Sequence, residues 1–588
     1  MNSVSEFHFS PRPNRAGEIA WRPWGKEAFS EAHRADKPIL LSISAVWCHW
    51  CHVMDETSYS DPRVIEAINE RFTPVRVDND RRPDVNARYN QGGWPTTAFL
   101  TPAGALLAGA TYMPPEQMLG ALDQIANFYK ENRAHIEERA VELRKEGAPE
   151  RPAAGELRET MIVRVLEEIS GAYDPEYGGF GTEPKFPMTD VLEFLLQEHR
   201  VTGDERPYEM LARSLLGMAD GGMYDHVEGG FFRYSTTRDW SIPHFEKMTE
   251  DHAALLRVLA ELTRTTRNDR FRETLGSALQ YTRTVLRDPH THFFAGSQDA
   301  DEAYFALPLE ERRKREAPYV DRTSYSNWTA AMAGAFALAG AALEDDDVLR
   351  ESEATLDALH DRMRDEDGLL YHFIEPGGTP HVRGLLADQA AYLRALLDAH
   401  DCGGQPRFLR RARDLADAIE RRFASPQGGF YDHAGVEEQL GNLAVRQRPL
   451  ADNSLLADSF LRLAALDNDD RRRAVAEQTL QVYASNYGSM HMFAAPFARA
   501  LRRYFSAAPS VVLVGTADQT SELREAARAL PNPLITVRTI DPGDAKALQE
   551  RGMDASIAPV AYLCRGNVCG APARTTAELR TAYEQLAV

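Results

Sequence analysis

The sequence predicts a multidomain α/β and all-α protein: an α/β module, a long helical region closed into a toroid of hairpins, and a small C-terminal α/β module. Three observations carry this. Strand-like and helix-like segments interleave through residues 1–145. Residues 156–505 hold almost only helical periodicity, broken by a recurring turn, and strand-like runs return in 506–588. A chain of 588 residues is too long for one ordinary domain, and 43% hydrophobic content is enough for several cores.

In chain order, residues 24–36 form an amphipathic helix with Trp24, Ala28, Phe29 and Ala32 on one side. Lys37-Pro38 starts the apolar run Ile39 to Ile43, a buried strand, and a helix runs on from Cys48. Asp61 as N-cap and Pro62 in the first turn open a helix to Phe72. Residues 74–78 form a second strand, 96–100 and 106–110 a hairpin, and 115–145 a long helix. This is an α/β module of thioredoxin size. Residues 146–155, with two prolines and two glycines, make a linker.

The recurring turn is Asp174-Pro-Glu-Tyr-Gly-Gly-Phe, Asp225-His-Val-Glu-Gly-Gly-Phe and Ser425-Pro-Gln-Gly-Gly-Phe, with weaker echoes at Asp288 and Asp365. Its spacing is that of helical hairpins, and repetition at that scale signals stacked helix pairs. Glycine supplies the positive φ after a helix, and the aromatic turns back into the core. After residue 506, residues 510–515, 534–540 and 560–563 are strands.

Formal net charge is −21, which disfavours nucleic acid and anionic membranes as partners. Residues 1–20 lack a charged-then-apolar leader, and no stretch approaches the ~20 apolar residues of a membrane span. A cytoplasmic location is expected. Five cysteines in such a chain are not a disulfide framework, so a CxxC there is redox-active or metal-binding.

That CxxC is Trp47-Cys48-His49-Trp50-Cys51-His52, where a buried strand hands over to a helix. The helix N-terminus stabilises a Cys48 thiolate, and Cys51, one turn along, resolves a mixed disulfide. His49 and His52 would lower the thiol pKa further if protonated. Downstream, Trp94-Pro95 precedes a strand, where thioredoxin folds place a cis-proline facing the thiols; a cis bond is expected there. Three other readings compete. The segment matches the c-type haem attachment pattern, which requires export. Zinc needs a second ligand pair, which the N-terminal region lacks. The pair is otherwise a relic in a fold kept for docking. Thiol–disulfide exchange is favoured, with no cofactor and no metal. Cys564 and Cys569 are taken as two ordinary thiols ahead of a labile pair, and Cys402 as structural.

In the helical region, Asp225, His226, His244, Glu246, Asp299 and Asp301 lie on loops that converge at one end of a toroid. Residues 242–248 have the look of a helix start. Carboxylates and imidazoles in such a funnel serve glycoside hydrolysis or sugar isomerisation. Tyr224, Phe232, Tyr234 and Trp240 are positioned to stack on a sugar. Against this, Asp225 can cap its own turn and Asp299 and Asp301 can be a solvated loop.

These segments together resemble the spermatogenesis-associated protein 20-like family. The resemblance rests on Cys48 to Met54, Val77 to Asp84, Gln91 to Pro95, Pro184 to Pro187, Tyr224 to His226, Pro243 to Met248 and Asp299 to Asp301, and covers nearly the whole chain. It implies a thioredoxin-like fold joined to an (α/α)6 barrel, six-hairpin glycosidase-like and akin to sugar epimerases. Departures from the family pattern fall at Trp47, between Asp84 and Gln91, at Thr249-Glu250-Asp251-His252, after Asp301, and at Ala451-Asp452-Asn453-Ser454. The sequence therefore supports three functions, in this order. The first is thiol–disulfide exchange or redox sensing with a protein disulfide or small thiol as partner, Trp47, Trp94 and Pro95 shaping the site. The second is sugar chemistry in the barrel, and the third non-catalytic binding.

Overall fold

The computed structural model describes residues 7–146, 154–266, 268–435, 437, 439–506, 508–565 and 568–587. Most of the expected linker, and residues 1–6 of the N-terminal segment, lie outside the described residues. The chain divides into two compact units, Met1–Arg151 with His433–Gln447, and Pro152–Asp432 with Arg448–Val588.

The first unit is built on strand β1 (Ile39–Ser44), all six residues of which are buried. It pairs in parallel with β2 (Thr73–Asp78) and antiparallel with β3 (Thr96–Leu100), which pairs with β4 (Leu106–Ala110). Period-two alternation gives β1 two cores. Leu40 packs with Met54, Tyr59, Ile68, Phe72 and Leu122 on one face; Ile39, Leu41 and Ile43 pack with Trp24, Phe29, Val75 and Val77 on the other. The helices packed on these two faces are α1 (Lys26–Ala35), α2 (His49–Glu56), α3 (Pro62–Arg71) and α5 (Pro115–Glu146), with α4 (Pro83–Tyr89) after β2.

The later segment completes the second core. Leu443 is buried in it beside Tyr89. The Asn442 N–H donates to Tyr89 Oη at 2.8 Å, and Tyr89 donates to the Gly104 carbonyl at 2.7 Å. Gly104, at φ 83°, meets Gly441 backbone to backbone; a Cβ there would sit 2.4 Å from the Gly441 Cα.

In the second unit, among the described residues, six helices form an inner ring: α7 (Thr189–Thr202), α9 (Thr249–Thr265), α11 (Ser326–Leu343), α13 (Leu386–Gly403), α15 (Leu450–Asp467) and α17 (Ala495–Phe505). Each packs on the next, and α17 closes on α7. Outside them lie α8 (Glu205–Asp220), α10 (Asp269–Tyr281), α12 (Asp346–Arg362), α14 (Pro406–Phe423), α16 (Asp470–Gln481) and α6 (Thr160–Ala172), one against each inner helix. The sequence sorts the two layers. The outer α14 buries Phe408, Leu409, Ala412, Leu415, Ala416 and Ile419 at helical spacing and carries arginines elsewhere, whereas the inner α11 is buried nearly all round. This is an (α/α)6 barrel.

The C-terminal module is a four-stranded sheet in the order β6-β5-β7-β8, formed by β5 (Ser510–Val514), β6 (Thr536–Ile540), β7 (Val560–Arg565) and β8 (Val568–Cys569), with α18 (Ser521–Arg528) after β5. Arg538 from β6 donates to the Leu466 carbonyl at 2.9 Å, satisfying a free carbonyl at the end of α15. No helix among the described residues is long and apolar enough to cross a membrane.

Two expectations are corrected. Residues 242–248 do not begin a helix: Pro243–His244 and Lys247–Met248 are short strands, paired to Tyr234–Ser235 and Ser297–Gln298, and the helix starts at Thr249. Cys564 and Cys569 are not separate thiols but a disulfide, because the β7–β8 register sets them opposite each other.

Candidate functional site

Cys48 ends the loop after β1 and is the N-cap of α2; its Sγ accepts the Cys51 N–H at 3.2 Å and is bonded to Cys51. Free N–H groups and the helix dipole therefore converge on the Cys48 sulfur. Because Ile43 lies opposite Thr96, the strand register brings Pro95 beside the loop that carries the thiols, and the Trp94–Pro95 bond is cis as expected. Trp47 is buried, its Nε1 donates to Asp80 at 2.6 Å, and its ring meets Trp94 edge-on at 5.6 Å. Trp50 is the exposed element at 52%, packed on Tyr112, and His49 is exposed beside it.

His52 differs from the expected role. Burial lowers its pKa, against the pull of Asp55, so the ring is neutral near pH 7 and lends no positive charge to the thiol. Behind the helix, Asp55 and Arg76 form a buried bidentate pair at 2.8 and 3.0 Å. Cys402 is buried and unbridged, its thiol pushed up to about 11 by burial.

In the barrel, the Gly-Gly turns at Asp174 and Asp225 are each fixed by a buried lysine and an arginine from later in the chain. Asp225 Oδ1 accepts its own turn's Val227 N–H at 3.0 Å, while Oδ2 takes Lys247 Nζ at 2.8 Å and Arg312 at 2.7 Å. Asp174 repeats the arrangement with Lys185 at 2.6 Å and Arg238 at 2.8 Å. Burial raises the Asp225 pKa, but Lys247 and Arg312 outweigh it and hold the carboxylate below its usual range. The second fixture is one residue on an inner helix. The Phe231 N–H is accepted by His252 Nε2 at 2.9 Å, Leu370 by Gln389 at 2.9 Å and Phe430 by Asn453 at 2.7 Å. Burial lowers the His252 pKa to about 3; its Nδ1–H donates to the Met248 carbonyl at 2.6 Å, which leaves Nε2 free to accept.

The sequence-predicted barrel residues divide accordingly. His226 is exposed, with Nε2 on the Gly221 carbonyl at 3.1 Å, and Asp301 is exposed and caps the short helix Glu302–Phe305. Asp299 accepts the Ala300 N–H at 2.8 Å. His244 and Glu246 are hydrogen-bonded to each other through Nδ1, and His244 stacks on Tyr234 with centroids 4.9 Å apart.

Further acidic residues, outside the sequence-predicted set, stand at the starts of the inner helices. Asp190, Glu250, Asp251, Asp388 and Asp452 occupy the second or third position of their inner helices, and Asp251, Asp388 and Asp452 directly precede residues that hold a turn. Burial, then Glu250 and Glu246, raise Asp251 to about 7 despite Arg233. Burial, then Asp388, Asp432 and Asp190, raise Asp452 to about 7. Glu250 is raised as well, first by burial. Glu250 is solvent-accessible yet ringed by protein, as befits the mouth of a funnel. Asp251 and Asp452 fall within two of the segments that depart from the family pattern, but nothing local to those segments marks either acid as functional. Among the described residues no group of three or more His, Cys, Asp or Glu side chains is arranged to hold a metal ion.

Residues 12–146 match the Thioredox_DsbH family model, whose description is protein of unknown function, DUF255. Spermatogenesis-associated protein 20 of Homo sapiens is 26% identical over 96% of this chain and 89% of its own. The Mus musculus protein of the same name is 29% identical over 76% of this chain and 73% of its own. Among solved structures, cellobiose 2-epimerase from Bacillus thermoamylovorans B4167 is similar over 56% of this chain and 87% of that one, with 14% identity and a TM-score of 0.46. Over nearly its whole length, then, the chain is similar to spermatogenesis-associated protein 20, and its N-terminal module matches the DUF255 family model.

Proposed function

We propose that the protein is a thiol–disulfide oxidoreductase or redox sensor acting in a reducing compartment on a protein disulfide or small disulfide. The observation that carries this is Cys48 at the N-cap of α2, bridged to Cys51 and beside the Pro95 loop. In the reduced form, the Cys48 thiolate attacks a substrate disulfide, forms a mixed disulfide and releases one thiolate. Cys51, deprotonated, then attacks Cys48 Sγ, releases the second thiolate and leaves the Cys48–Cys51 bridge; two electrons pass to the substrate. Exposed Trp50 supplies an apolar landing face. The test is thiol titration and disulfide reduction by purified protein. A Cys48 pKa well below the free value of ~8.5 is expected. Cys48→Ser is expected to abolish turnover and Cys51→Ser to trap the mixed disulfide. A Cys48→Ser protein with full activity sinks the proposal.

A second reading is favoured by one specific observation: Asp251 and Asp452 are held near pH 7, where a carboxyl serves as general acid or base. With His244–Glu246 and Arg233 nearby, the funnel is equipped for proton transfer on a sugar. Incubation of a sugar panel in deuterated water, scored for exchange at C2, tests the epimerase form. Exchange abolished by Asp251→Asn supports it; an unlabelled panel counts against it.

A further inference from the structure

At the other end of the inner helices, toward their C-termini, a chamber of about 170 Å³ remains against the C-terminal module. A single water needs only ~10–15 Å³ on this measure, so the space admits a small organic ion. Its lining holds eight arginines and five carboxylates. In a chain of net charge −21, this local excess of cations runs against the whole molecule.

The carboxylates are already engaged. Glu193 takes both Arg394 and Arg499, and Asp398 takes Arg257 and, at 2.8 Å, Arg462. Arg528, at the end of α18, faces the chamber with no hydrogen-bonded or ion-paired partner for its guanidinium among the described residues. Helix C-termini add partial negative charge, but that effect is confined to the last turn. Arg257 and Arg394 lie two turns or more inside α9 and α13. Burial, joined by neighbouring guanidinium groups, lowers the pKa of Arg257, Arg394 and Arg499, whereas at Arg462 and Arg528 nearby carboxylates outweigh burial and raise it. Enclosed, uncompensated charge of one sign is costly, and planar guanidinium forks match oxyanions.

We infer that this chamber binds a small, multiply charged, phosphate-bearing anion, clasped between the barrel and the C-terminal module with Arg528 as the contact the module supplies. Arg264, Arg528 and Asn532 keep part of their surface in water, which makes this side the entrance.

The test uses the full chain with inorganic pyrophosphate as probe, followed by calorimetry and thermal unfolding, with sodium chloride at matched ionic strength and malonate as further arms. The expected result is saturable 1:1 binding and a Tm that rises with the logarithm of pyrophosphate concentration. Arg528→Gln breaks no ion pair and is expected to weaken Kd about tenfold or more, the size of one charge-assisted contact. Asn532→Asp, which puts a negative charge at the entrance, is expected to weaken it too and carries the test if Arg528→Gln unfolds. Malonate binding as tightly as pyrophosphate overturns the phosphate assignment. A shift reproduced by sodium chloride, or affinity unchanged in both variants, overturns the site, and the arginines then serve only to knit the helices.

Discussion

Asp225 and Asp251 both stand near a repeat turn, and their surroundings drive them in opposite directions. Asp251 is raised to about 7 by burial and by Glu250 and Glu246. An unfolded Asp loses its proton near pH 3.9, so between about pH 4 and 7 the folded chain holds a proton that the unfolded chain does not. Stability on this account falls as pH rises through that window. Asp251→Asn is therefore expected to raise Tm at pH 8 and leave it unchanged at pH 4; equal effects at both would show that the charge is not the cause. Asp225 is held low, so its contribution is present above about pH 4 and is lost as pH falls toward its folded value. Asp225→Asn leaves the fully buried Lys247 without its counter-charge, a loss of about 3–5 kcal/mol in chemical denaturation.

At the scale of elements, the turns and the residues that hold them form one device repeated around the barrel. The sequence displays its glycine and aromatic half, because those occur as a contiguous string. The other half, Lys247 or Asn453 from a neighbouring element, is separated in the chain and becomes visible only in three dimensions. The same difference explains the sites. Cys48, Cys51 and Pro95 were legible because a strand-to-helix junction and a following strand are local patterns. Asp251 and Asp452 were not, since an acid in the first turn of a helix is ordinarily a solvated, dipole-stabilised group. The segment His433–Gln447 was equally hidden: it has no helical or strand periodicity, yet Leu443 is almost fully buried in the core beside β1. Leu443→Ala is expected to cost about 2–5 kcal/mol, read as an earlier loss of near-ultraviolet dichroism from Trp24 and Tyr89 than from the barrel.

For the whole molecule, the fold class was legible in outline from periodicity: residues 156–505 carry a helical repeat, and the flanks do not. Ring closure was inferable from the number of turn echoes, but the packing of α17 on α7 joins helices some 300 residues apart in sequence, which no local pattern encodes. The arginine chamber was invisible for the same reason, its lining being drawn from the inner helices and the C-terminal module, each arginine looking like an ordinary surface residue in its own helix. The first unit, too, draws on distant chain, and this sets a clock on its birth. Synthesis at about 5–20 residues per second delivers Gln447 roughly 15 to 60 s after Arg151 has left the ribosome. For that interval the nascent N-terminal module presents an unfilled apolar notch in the core beside β1, a stage at which a chaperone can engage the newborn chain.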